Sequence, residues 1–540
     1  MGQVASPSRG RASSTLIEVD RVAKRRSSIP IAGRYTNERD LADDYTFDVV
    51  GEGASKKEKV IGSGMNGPVK LATDKAGQKY AVKTFNKYGL NEKRLADLKG
   101  EVEIFLSLDH PHIARLEHVY ETEDYIHLVM EFMAGGELYD RLSSQRRYAE
   151  DDAAGTIRQM LLAVAFLHVH HVCHRDLKLE NFLYEHPETD HLKLIDFGFA
   201  KFRPDRTKMS QACGSIHYVA PEVLDQSYTE SADMWSLGVL SHMLLTGSSV
   251  FRGSDKEVLR SLKSRSFQLS SRFGALSAAA QDFVKSLLEW DATKRLSAQQ
   301  ALQHPFLTSS DDSASPTLDR ETWDSLQRYG KASHFRRACF SMMAWSLTRE
   351  DRMQLRSKFL ELDPDNTGTI SLAAFKAVLE KEDFNLETEE AEKLFATLDA
   401  DGDKEISYSE FLAAALYDHV RIHEDILRKT FSRFDTDQSG VITVENLRTV
   451  LGDAFDTAQI EELMQEADAD GNGEICYEEF LEYLQNPELD TPPDEEDAFS
   501  FKTAASERRD KHCELAGMLI DSMSDLDLSP MARKKKKANA

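Results

Sequence analysis

Cysteine is scarce in this sequence, and long apolar runs are absent. The five cysteines among 540 residues are scattered and form no CxxC pair, which argues against a disulfide framework or a zinc site and favours reduced thiols. No apolar run approaches the ~18–20 residues that span a bilayer, and the first residues, MGQVASPSRGRASS, lack the apolar stretch of a secretory signal. A cytoplasmic location is therefore expected, either free or at the cytoplasmic face of a membrane.

Basic residues are also too few to balance the acidic ones. The net charge is −25, and residues 350–490 hold 36 acidic and 12 basic side chains, a balance of −24. By contrast, residues 1–30 hold six basic and two acidic residues, and the chain ends in ARKKKKANA. Nucleic acid is therefore not an expected partner of this acidic body, because only the two basic ends could attract it.

Composition divides the chain into five segments, since 540 residues are too many for one hydrophobic core. Residues 1–45 are rich in Ser and Arg and predict a flexible arm with a candidate lipid anchor. Residues 46–307 mix strand-like runs, such as YIHLVMEF, with helical patterns and predict an α/β domain. Residues 308–350 join a polar linker to a basic aromatic stretch, residues 351–486 carry an internal repeat, and residues 487–540 form an acidic, then basic tail.

The stretch IGSGMNGPV, residues 61–69, fits a glycine-rich turn that approaches phosphate. Gly62, Gly64 and Gly67 would let backbone N–H groups come close to phosphate oxygens, although dinucleotide folds use the same spacing. The next strand-like run, KYAVK, places Lys83 where it could hold the α- and β-phosphates, whereas a dinucleotide fold would want an acidic residue about 20 positions after its glycines. The other candidate nucleotide contacts in the turn are Ile61, Ser63, Met65, Asn66, Pro68 and Val69.

Two further motifs supply groups for phosphoryl transfer. HRDLKLEN contains Asp176, and DFG begins 20 residues later at Asp196. Asp176 would accept or orient the proton of an incoming hydroxyl, and Lys178 would steady the moving phosphoryl group. Asn181 and Asp196 would hold Mg²⁺. Unrelated surface loops would need each motif to arise by chance in the right order, so the series predicts a phosphoryl-transfer enzyme.

These residues resemble the motifs of the protein kinases over essentially a full catalytic domain, with YVAPE, DMWSLG and Arg295 in DATKRLS as later landmarks. The resemblance implies a two-lobed α/β fold, ATP and Mg²⁺ as cofactors, and protein substrates. It makes Glu101 the helix partner of Lys83, with Glu103 as the competing choice, and Lys178 with GSIHYVAPE suggests the Ser/Thr branch. The residues it assigns to the adenine and ribose side are Ala81, Met130, Glu131, Met133 and Glu137, the last facing ribose or a basic substrate residue.

One departure from the kinase pattern concerns control. Two residues before CGS, where many kinases carry an activating Thr, stands Gln211, with Ser210 beside it. Phosphorylation of this loop is therefore not expected to be the switch. A second departure, TGSSVF in place of a Pro-rich turn, affects packing more than chemistry.

The internal repeat has the spacing of four helix–loop–helix units, with loops at 363–374, 399–410, 435–446 and 468–479. A calcium loop needs oxygen ligands at alternate positions, a backbone carbonyl at position seven and a bidentate Glu at position twelve. The second loop has Lys404 where a sharp turn favours Gly, which predicts backbone strain. The second and fourth loops supply the complete sets Asp399, Asp401, Asp403, Glu405 and Glu410, and Asp468, Asp470, Asn472, Glu474 and Glu479.

The first and third loops lack the final ligand, because Ala374 and Asn446 occupy position twelve. Each pair, joined through Ile370 with Ile406 or Ile442 with Ile475, thus has one complete and one incomplete loop. The incomplete loops are predicted to be structural partners with at most weak calcium binding. Their remaining candidate ligands are Asp363, Asp365 and Thr367 in the first loop, and Asp435, Asp437 and Ser439 in the third.

A kinase followed by a basic aromatic helix and four EF-hands resembles the calcium-dependent protein kinases of plants and protists, over about residues 46–485. The resemblance implies a multidomain chain, an α/β kinase fold and then an all-α calmodulin-like module, with Ca²⁺ as a further cofactor. In that family the junction helix blocks the kinase at rest and calcium-loaded EF-hands seize it; a helix packed permanently on the kinase is the alternative. Its apolar face would comprise Phe335, Cys339, Met342 and Met343, flanked by Arg336 and Arg337.

The first residues match a myristoylation signal, Gly2 with Ser6. One acyl chain holds a membrane only marginally, but the nearby RVAKRRSS supplies the basic charge of a second anchor. The sequence thus predicts a calcium-activated serine/threonine kinase with an N-terminal membrane attachment. Two rivals remain open: a calcium-responsive scaffold with an inactive kinase fold, and a kinase controlled mainly by another protein.

Overall fold

The structure, a computed structural model, describes residues 34–485 apart from 38, 52–55, 65–66, 204–206, 309–317, 348, 382–387, 401, 420–423 and 452–456. The chain divides into two compact units. One contains the chain up to Gly330 together with Phe340–Arg421, and the other contains Lys331–Cys339 and the chain from Ile422 onward. The first unit therefore holds the kinase fold and the first two EF-hands, and the second unit holds the last two.

The first lobe of the kinase fold is a seven-stranded sheet with one long helix. The strand order is β1-β8-β9-β7-β6-β2, and β5 also pairs with β6, while β3 and β4 form a separate hairpin. Alternation along KYAVKTFN buries Tyr80 and Val82 in the core of the sheet and turns Ala81 and Lys83 to the other face. The elements are β1 (Tyr35–Thr36), α1 (Leu41–Asp44), β2 (Tyr45–Phe47), β3 (Val49–Val50), β4 (Lys57–Glu58), β5 (Val60–Gly64), β6 (Gly67–Asp74), β7 (Lys79–Asn86), α2 (Glu92–Leu106), β8 (Leu116–Glu121) and β9 (Tyr125–Glu131).

The second lobe is mainly helical. Its central helices α4 and α6 are apolar on nearly all sides and are buried. Helix α4 begins with an acidic turn, and negative charge there is favourable beside the positive end of the helix dipole. The elements are α3 (Leu138–Gln145), α4 (Glu150–Val169), β10 (Val172–Cys173), a 3₁₀ turn (Leu179–Asn181), β11 (Phe182–Tyr184), β12 (Leu192–Leu194), β13 (Lys201–Phe202), α5 (Pro221–Leu224), α6 (Ser231–Thr246), α7 (Asp255–Lys263), a 3₁₀ turn (Phe273–Ala275), α8 (Ala278–Leu287), α9 (Ala298–Leu302) and α10 (Pro305–Thr308).

Residues 34–45 differ from the predicted flexible arm. The buried guanidinium of Arg34 donates to the carbonyls of Leu116 at 3.0 Å and Leu106 at 2.6 Å. Strand β1 pairs in parallel with β8, and β2 pairs antiparallel with β6. The end of the predicted arm is therefore part of the kinase sheet, because backbone pairing at a sheet edge does not need an apolar sequence pattern. Residues 1–33 and 486–540 lie outside the described part.

The junction consists of two helices, and the repeat forms four EF-hand units whose loops pair as predicted. Ile370 lies opposite Ile406, and Ile442 lies opposite Ile475. Within residues 34–485, apart from the gaps given above, no helix has the length and apolarity to cross a membrane. The elements are α11 (Arg320–Lys331), α12 (His334–Ser346), α13 (Arg349–Glu361), β14 (Ile370–Ser371), α14 (Leu372–Lys381), α15 (Thr388–Leu398), β15 (Glu405–Ile406), α16 (Tyr408–His419), α17 (Glu424–Phe434), β16 (Val441–Thr443), α18 (Val444–Leu451), α19 (Thr457–Ala467), β17 (Glu474–Cys476) and α20 (Tyr477–Gln485).

Candidate active site and calcium loops

Lys83 lies between two carboxylates, as a phosphate-binding lysine of a kinase would. Its Nζ is 2.8 Å from Asp196 Oδ1 and 3.8 Å from Glu101 Oε1, so the structure places Glu101 within reach of the lysine. Burial raises the pKa of Glu101 to about 7 despite the neighbouring ammonium. For Asp196, burial acts in the same upward direction, but the ion pair with Lys83 outweighs it and holds the pKa below its usual range.

The catalytic-loop residues meet around the buried carboxylate of Asp176. Lys178 Nζ donates to its Oδ2 at 2.6 Å, and the backbone N–H and hydroxyl of Ser215 each donate to its Oδ1 at 2.9 Å. The side-chain amide of Asn181 donates to the backbone carbonyl of Asp176 at 2.8 Å. The carboxylate is thereby fixed in orientation, with a cation beside it. Ser215 was not among the predicted site residues, although it belongs to the GSIHYVAPE motif.

The Asp233 carboxylate anchors the backbone of the catalytic loop through hydrogen bonds. Its carboxylate accepts N–H groups from His174 and Arg175 at 2.9 Å each, and its Oδ2 is 2.9 Å from His168 Nε2. Burial would raise the pKa of Asp233, but hydrogen bonds and neighbouring charges lower this pKa to about 2. The largest of these opposing contributions come from His168. A carboxylate in DMWSLG, 57 positions after Asp176, thus supports the catalytic loop.

Hydrogen bonds connect the activation segment to the catalytic loop. Arg175 contacts the Tyr228 hydroxyl at 3.5 Å, and this hydroxyl donates to the carbonyl of Gln211 at 2.6 Å. Arg175 also donates through Nε to the carbonyl of Phe199. A chain of two hydrogen bonds therefore joins the HRD arginine to Gln211, the position where an activating Thr would stand. That phosphorylation of this loop is not the switch stays a prediction.

The nucleotide residues lie where the first lobe meets the chain after β9. In the glycine-rich turn, Gly64 pairs with Gly67 and Ser63 with Pro68 across β5 and β6. Ala81 on β7 lies opposite Met130 on β9. Glu131 and Met133 follow, both largely buried. Ile61, Gly62 and Val69 belong to the same two strands, and Glu137 is the N-cap residue directly before α3. Met65 and Asn66 lie outside the described residues.

The fourth calcium loop has the donor set that calcium prefers. Carboxylate oxygens of Asp468, Asp470 and Glu479 lie within 4.8 Å of one another. Glu479 is buried and accepts N–H groups from Ala469 at 3.1 Å and Cys476 at 2.9 Å. Hard carboxylate oxygens gathered at one point fit Ca²⁺. Asn472 and Glu474 complete the predicted set and lie on the same loop.

The second loop is organised in the same way. Glu410 is buried and accepts N–H groups from Ala400 at 2.9 Å and Ser407 at 2.8 Å, which are the positions that Glu479 uses in the fourth loop. Lys404 has a φ of 73°, so the predicted backbone strain at this sixth position is confirmed. Asp399, Asp403 and Glu405 lie on the described loop, whereas Asp401 lies outside the described residues.

The third loop closes without the twelfth-position carboxylate. The buried Asn446 accepts the N–H of Thr443 at 3.0 Å and donates to Thr436 Oγ1 at 3.0 Å. It therefore reproduces with an amide the closing contact of Glu410 and Glu479 but adds no charge. The loop's remaining candidate ligands are Asp435, Asp437 and Ser439, all of which the structure places on it.

The first loop packs on the kinase fold. A Cβ atom on Gly368 would lie 2.6 Å from ring carbons of both His110 and Phe166, so no larger residue fits there. Burial raises the pKa of Asp363 to about 6, although its carboxylate accepts the Gly368 N–H at 2.7 Å. Besides Asp363, the loop carries the predicted weak ligands Asp365 and Thr367. The geometry suits a protein contact more than a divalent ion.

The junction helix contacts the last two EF-hands within the second unit. The Phe335 ring lies 5.9 Å from that of Phe434 and 5.5 Å from that of Tyr483. The buried Arg336 guanidinium lies over the Tyr483 ring at 4.9 Å and donates to the carbonyl of the same residue. The predicted intramolecular contact between junction helix and EF-hands is confirmed. The other residues of the predicted apolar face, Cys339, Met342 and Met343, are buried as well.

The fold and these sites define a protein kinase that carries two EF-hand pairs. A family model for the protein kinase domain matches residues 55–307, and one for the EF-hand domain pair matches residues 352–416 and 424–485. The first match lies within residues 46–307, and the second lies within residues 351–486.

Curated plant proteins match most of the chain. Calcium-dependent protein kinase 34 of Arabidopsis thaliana is 35% identical over 82% of this chain and 86% of its own length. Calcium-dependent protein kinase 2 of Zea mays is 34% identical over 79% and 85%, and calcium-dependent protein kinase 19 of Oryza sativa subsp. japonica is 33% identical over 80% and 83%. The chain belongs to the calcium-dependent protein kinases, and ATP, Mg²⁺ and Ca²⁺ are its cofactors.

Proposed function

We propose that the chain transfers the γ-phosphoryl group of ATP to Ser or Thr hydroxyls of proteins, and that calcium in the second and fourth EF-hand loops turns this activity on. The observation that carries the proposal is that one chain holds both a complete set of kinase catalytic residues and two complete sets of calcium ligands. Lys83 is ion-paired with Asp196 at 2.8 Å, and Asp176 is fixed by Lys178 and Ser215. Glu410 and Glu479 close two loops that carry full sets of calcium ligands. An inactive scaffold does not require the catalytic residues, so their presence favours an enzyme.

The chain's own residues have distinct tasks in the transfer. Bound ATP and Mg²⁺ supply the phosphoryl group and the neutralisation of its charge. Asp176, oriented by Ser215, accepts or orients the proton of the substrate hydroxyl, and Lys178 at 2.6 Å from Asp176 offers positive charge to the moving group. Asn181 and Asp196 are the candidate magnesium ligands, and Lys83 is the candidate partner of the α- and β-phosphates.

Negative charge beside the catalytic loop supports a basic substrate segment. Burial raises the pKa of Glu137, and the neighbouring carboxylates of Asp140 and Glu180 raise it further. A peptide cation placed there would relieve this repulsion. Two series of Ser peptides, with Arg or Ala placed in turn at each position before the Ser, test this: Arg at one of these positions should give at least a fivefold higher kcat/KM, and Glu137→Gln should reduce that preference. Equal use of the Arg and Ala peptides at every position would contradict it.

ATP consumption by the full chain with a protein substrate tests the main proposal. Calcium should raise the rate at least tenfold over chelator, with a midpoint in the sensor range of roughly 10⁻⁷ to 10⁻⁵ M. Asp196→Asn, which removes a charged magnesium ligand at nearly constant volume, should abolish turnover in both conditions while the circular dichroism spectrum stays native. Turnover that is equal in calcium and chelator favours control by another protein, and no turnover in either favours the scaffold.

We further propose that the chain attaches to membranes through its N-terminus. The support is the sequence alone, Gly2 with Ser6 and the basic RVAKRRSS, since these residues lie outside the described part. Gly2→Ala should release the protein from the membrane fraction, and neutralising Arg25 and Arg26 should weaken attachment in a salt-sensitive way. A wild-type protein found wholly in the soluble fraction would reject the proposal.

A further inference from the structure

A cluster of buried charged side chains lies behind the hinge, the segment after β9 that the kinase fold uses for adenine. The Glu131 carboxylate accepts the backbone N–H of Arg115 at 2.7 Å and two contacts from Lys193 Nζ at 2.7 and 2.8 Å. Lys193 also lies 3.6 Å from Glu185. Each of these side chains is less than a tenth exposed. The kinase fold alone therefore places two carboxylates around one lysine.

The first helix of the EF-hand module, α13, completes this cluster. Arg352 Nη2 lies 3.4 Å from Glu131 Oε2 and 3.8 Å from Glu185 Oε1, and Arg356 Nη1 lies 3.3 Å from Glu185 Oε2. Arg352 also donates to the carbonyl of Leu347 at 3.3 Å, and only 8% of the residue is exposed. The two arginines come from the same face of α13, four residues apart, so one helix reaches both carboxylates.

These two carboxylates mark the two ends of the hinge. Glu131 is the last residue of β9 and begins the hinge. The backbone carbonyl of Glu185 accepts the N–H of Ala134 at 3.2 Å, directly after Met133. A helix that fixes the side chains of Glu131 and Glu185 therefore restrains the hinge at its start and at its end.

Burial makes this restraint strong, because a buried charge without a partner is costly. Burial alone would raise the pKa of Glu185, yet Lys193, Arg352 and Arg356 together keep it below its usual range. Burial would lower the pKa of Arg352, but the carboxylates of Glu131, Glu117 and Glu185 raise it. Two cations, Arg115 and Lys193, also face Arg352. Loss of Arg352 would leave Glu185 with Arg356 and Lys193, but Glu131 with Lys193 as its one remaining cation among these residues. The buried Glu131 carboxylate would then be less well compensated, and its side chain would shift.

We propose that Arg352 is a positioning residue for nucleotide binding: it holds Glu131 and, with Arg356, Glu185, and so sets the hinge geometry that adenine recognition requires. The inference rests on the proposed kinase function and deepens it. It assigns to the EF-hand module a direct influence on nucleotide affinity, separate from any effect on access of the protein substrate.

The test compares full-length variants at saturating calcium. Arg352→Gln removes the charge, Arg352→Lys keeps the charge but loses the planar fork, and Lys358→Gln is the matched control. Lys358 lies on the same helix but pairs with Asp319 at 2.6 Å and Thr322 at 2.8 Å, away from the hinge. The measurements are KM for ATP, KM for a peptide substrate, kcat, and the dissociation constant of adenosine, which carries no phosphate and so reports the adenine site alone.

Arg352→Gln should raise KM for ATP and the dissociation constant of adenosine about tenfold together, with kcat and the peptide KM within twofold of wild type. Arg352→Lys should show about a threefold rise, and Lys358→Gln should match wild type. Adenosine affinity within twofold of wild type in Arg352→Gln would overturn the inference. The inference would also be overturned if Arg352→Gln raised the KM values for ATP and for the peptide equally and Lys358→Gln did the same. Such a result would indicate general destabilisation.

The adenosine measurement also separates this inference from the proposed function. A wild-type chain that binds adenosine but never phosphorylates protein would contradict the function while still testing Arg352. If Arg352→Gln fails to fold, as judged by circular dichroism, the adenosine affinity of Arg352→Lys decides the question. A value unchanged from wild type in that variant would contradict the role of the fork, and a threefold weaker value would support it.

Discussion

The two EF-hand pairs have the same composition, one complete loop beside one incomplete loop, but their incomplete loops are used differently. In the second pair, Asn446 closes the third loop with an amide at 3.0 Å from Thr443. In the first pair, the first loop packs on the kinase fold through Gly368, and Asn366 accepts from Arg158 at 3.5 Å. One loop keeps the shape of a calcium site, and the other has become a contact surface.

This difference shows what the bidentate Glu does in an EF-hand pair. Its carboxylate supplies both the last coordination and the hydrogen bonds that close the loop. An amide can replace the second role but not the first, so the third loop remains a structural partner of the fourth. Where neither role is kept, as at Ala374, hydrogen bonds to Asp363 within the loop are supplemented by contacts with the kinase fold. Thr369 of the first loop still donates to Glu405 of the second loop at 2.7 Å, so the pair remains coupled.

The largest expected effect concerns the two complete loops. Glu410→Gln and Glu479→Gln should each remove one tight calcium site, weakening it roughly a hundredfold, because the amide provides neither the charge nor the bidentate ligand. Asn446→Gln, neutral before and after, is the matched control and should leave the tight sites unchanged. Calorimetry on the full chain counts the ions. Two tight sites are expected in the wild type, and four of similar affinity would contradict the division into complete and incomplete loops.

The next largest effect is expected when a substitution disrupts the packing of the first loop on the kinase fold. Gly368→Ala would force a methyl group into His110 and Phe166 and add backbone strain at a φ of 80°, for a total loss of about 2–4 kcal/mol. Gly440→Ala in the third loop is a close control, because its φ is 88° but nothing lies within 4 Å of the added Cβ. It should lose only about 1 kcal/mol.

Hydrogen exchange in chelator, followed separately in α13–α16 and α17–α20, measures this pair of variants. Faster exchange in α13–α16 is expected for Gly368→Ala and not for Gly440→Ala. Equal, small effects of both substitutions would mean that the first loop does not depend on the kinase fold.

Local chemistry made much of this molecule predictable. The opposed isoleucines and the strained Lys404 follow from motif spacing, because a ligand or a paired strand dictates residue type at fixed positions. The pairing of Lys83 with an acidic residue of α2 is implied by the resemblance to the protein kinases. Contacts between distant charged residues were not predictable. The Ser409 N–H donates to Asp109 at 2.7 Å across 300 positions, and Arg352 reaches Glu131. In the sequence such residues look like the solvated face of a helix, since charge alone does not reveal a buried partner.

Restoring the missing ligand tests the third loop with a smaller effect. Asn446→Glu should add a third calcium ion of moderate affinity, because the loop already has the closing geometry and Asp435, Asp437 and Ser439. Activation should then shift to calcium concentrations several-fold lower, as calcium moves the switch only by binding the active form more tightly. Ion counting and the activation midpoint are the measurements, with Asn446→Gln as control. A variant that still binds two ions would show that loop closure is not enough.

We expect the smallest effect from acid, which should destabilise the packing of the first calcium loop on the kinase fold. His110 touches the site of Gly368, and its ring lies 5.7 Å from that of His112, whose Nδ1 is 2.9 Å from the carbonyl of Leu192. Burial lowers the pKa of His112 to about 3, and the charges of Arg356, Lys193 and Arg158 act in the same direction. A histidine kept neutral in the fold stabilises it above pH 6.5 and loses that contribution as the pH falls from 6.5 toward 3.

Between pH 7.5 and 6.0 this contribution should fall by about 0.8 kcal/mol, if the unfolded histidine titrates near its ordinary pKa of ~6.5. His112→Asn keeps a side-chain N–H for the Leu192 carbonyl but does not titrate. Wild type should therefore lose about 0.8 kcal/mol more than the variant over this pH range, measured by hydrogen exchange in α4 and α13–α16. Because the comparison is a difference between two proteins at each pH, titration of the other buried histidines cancels. A wild type that loses no more than the variant would show that His112 is already charged, or already exposed, in the folded protein.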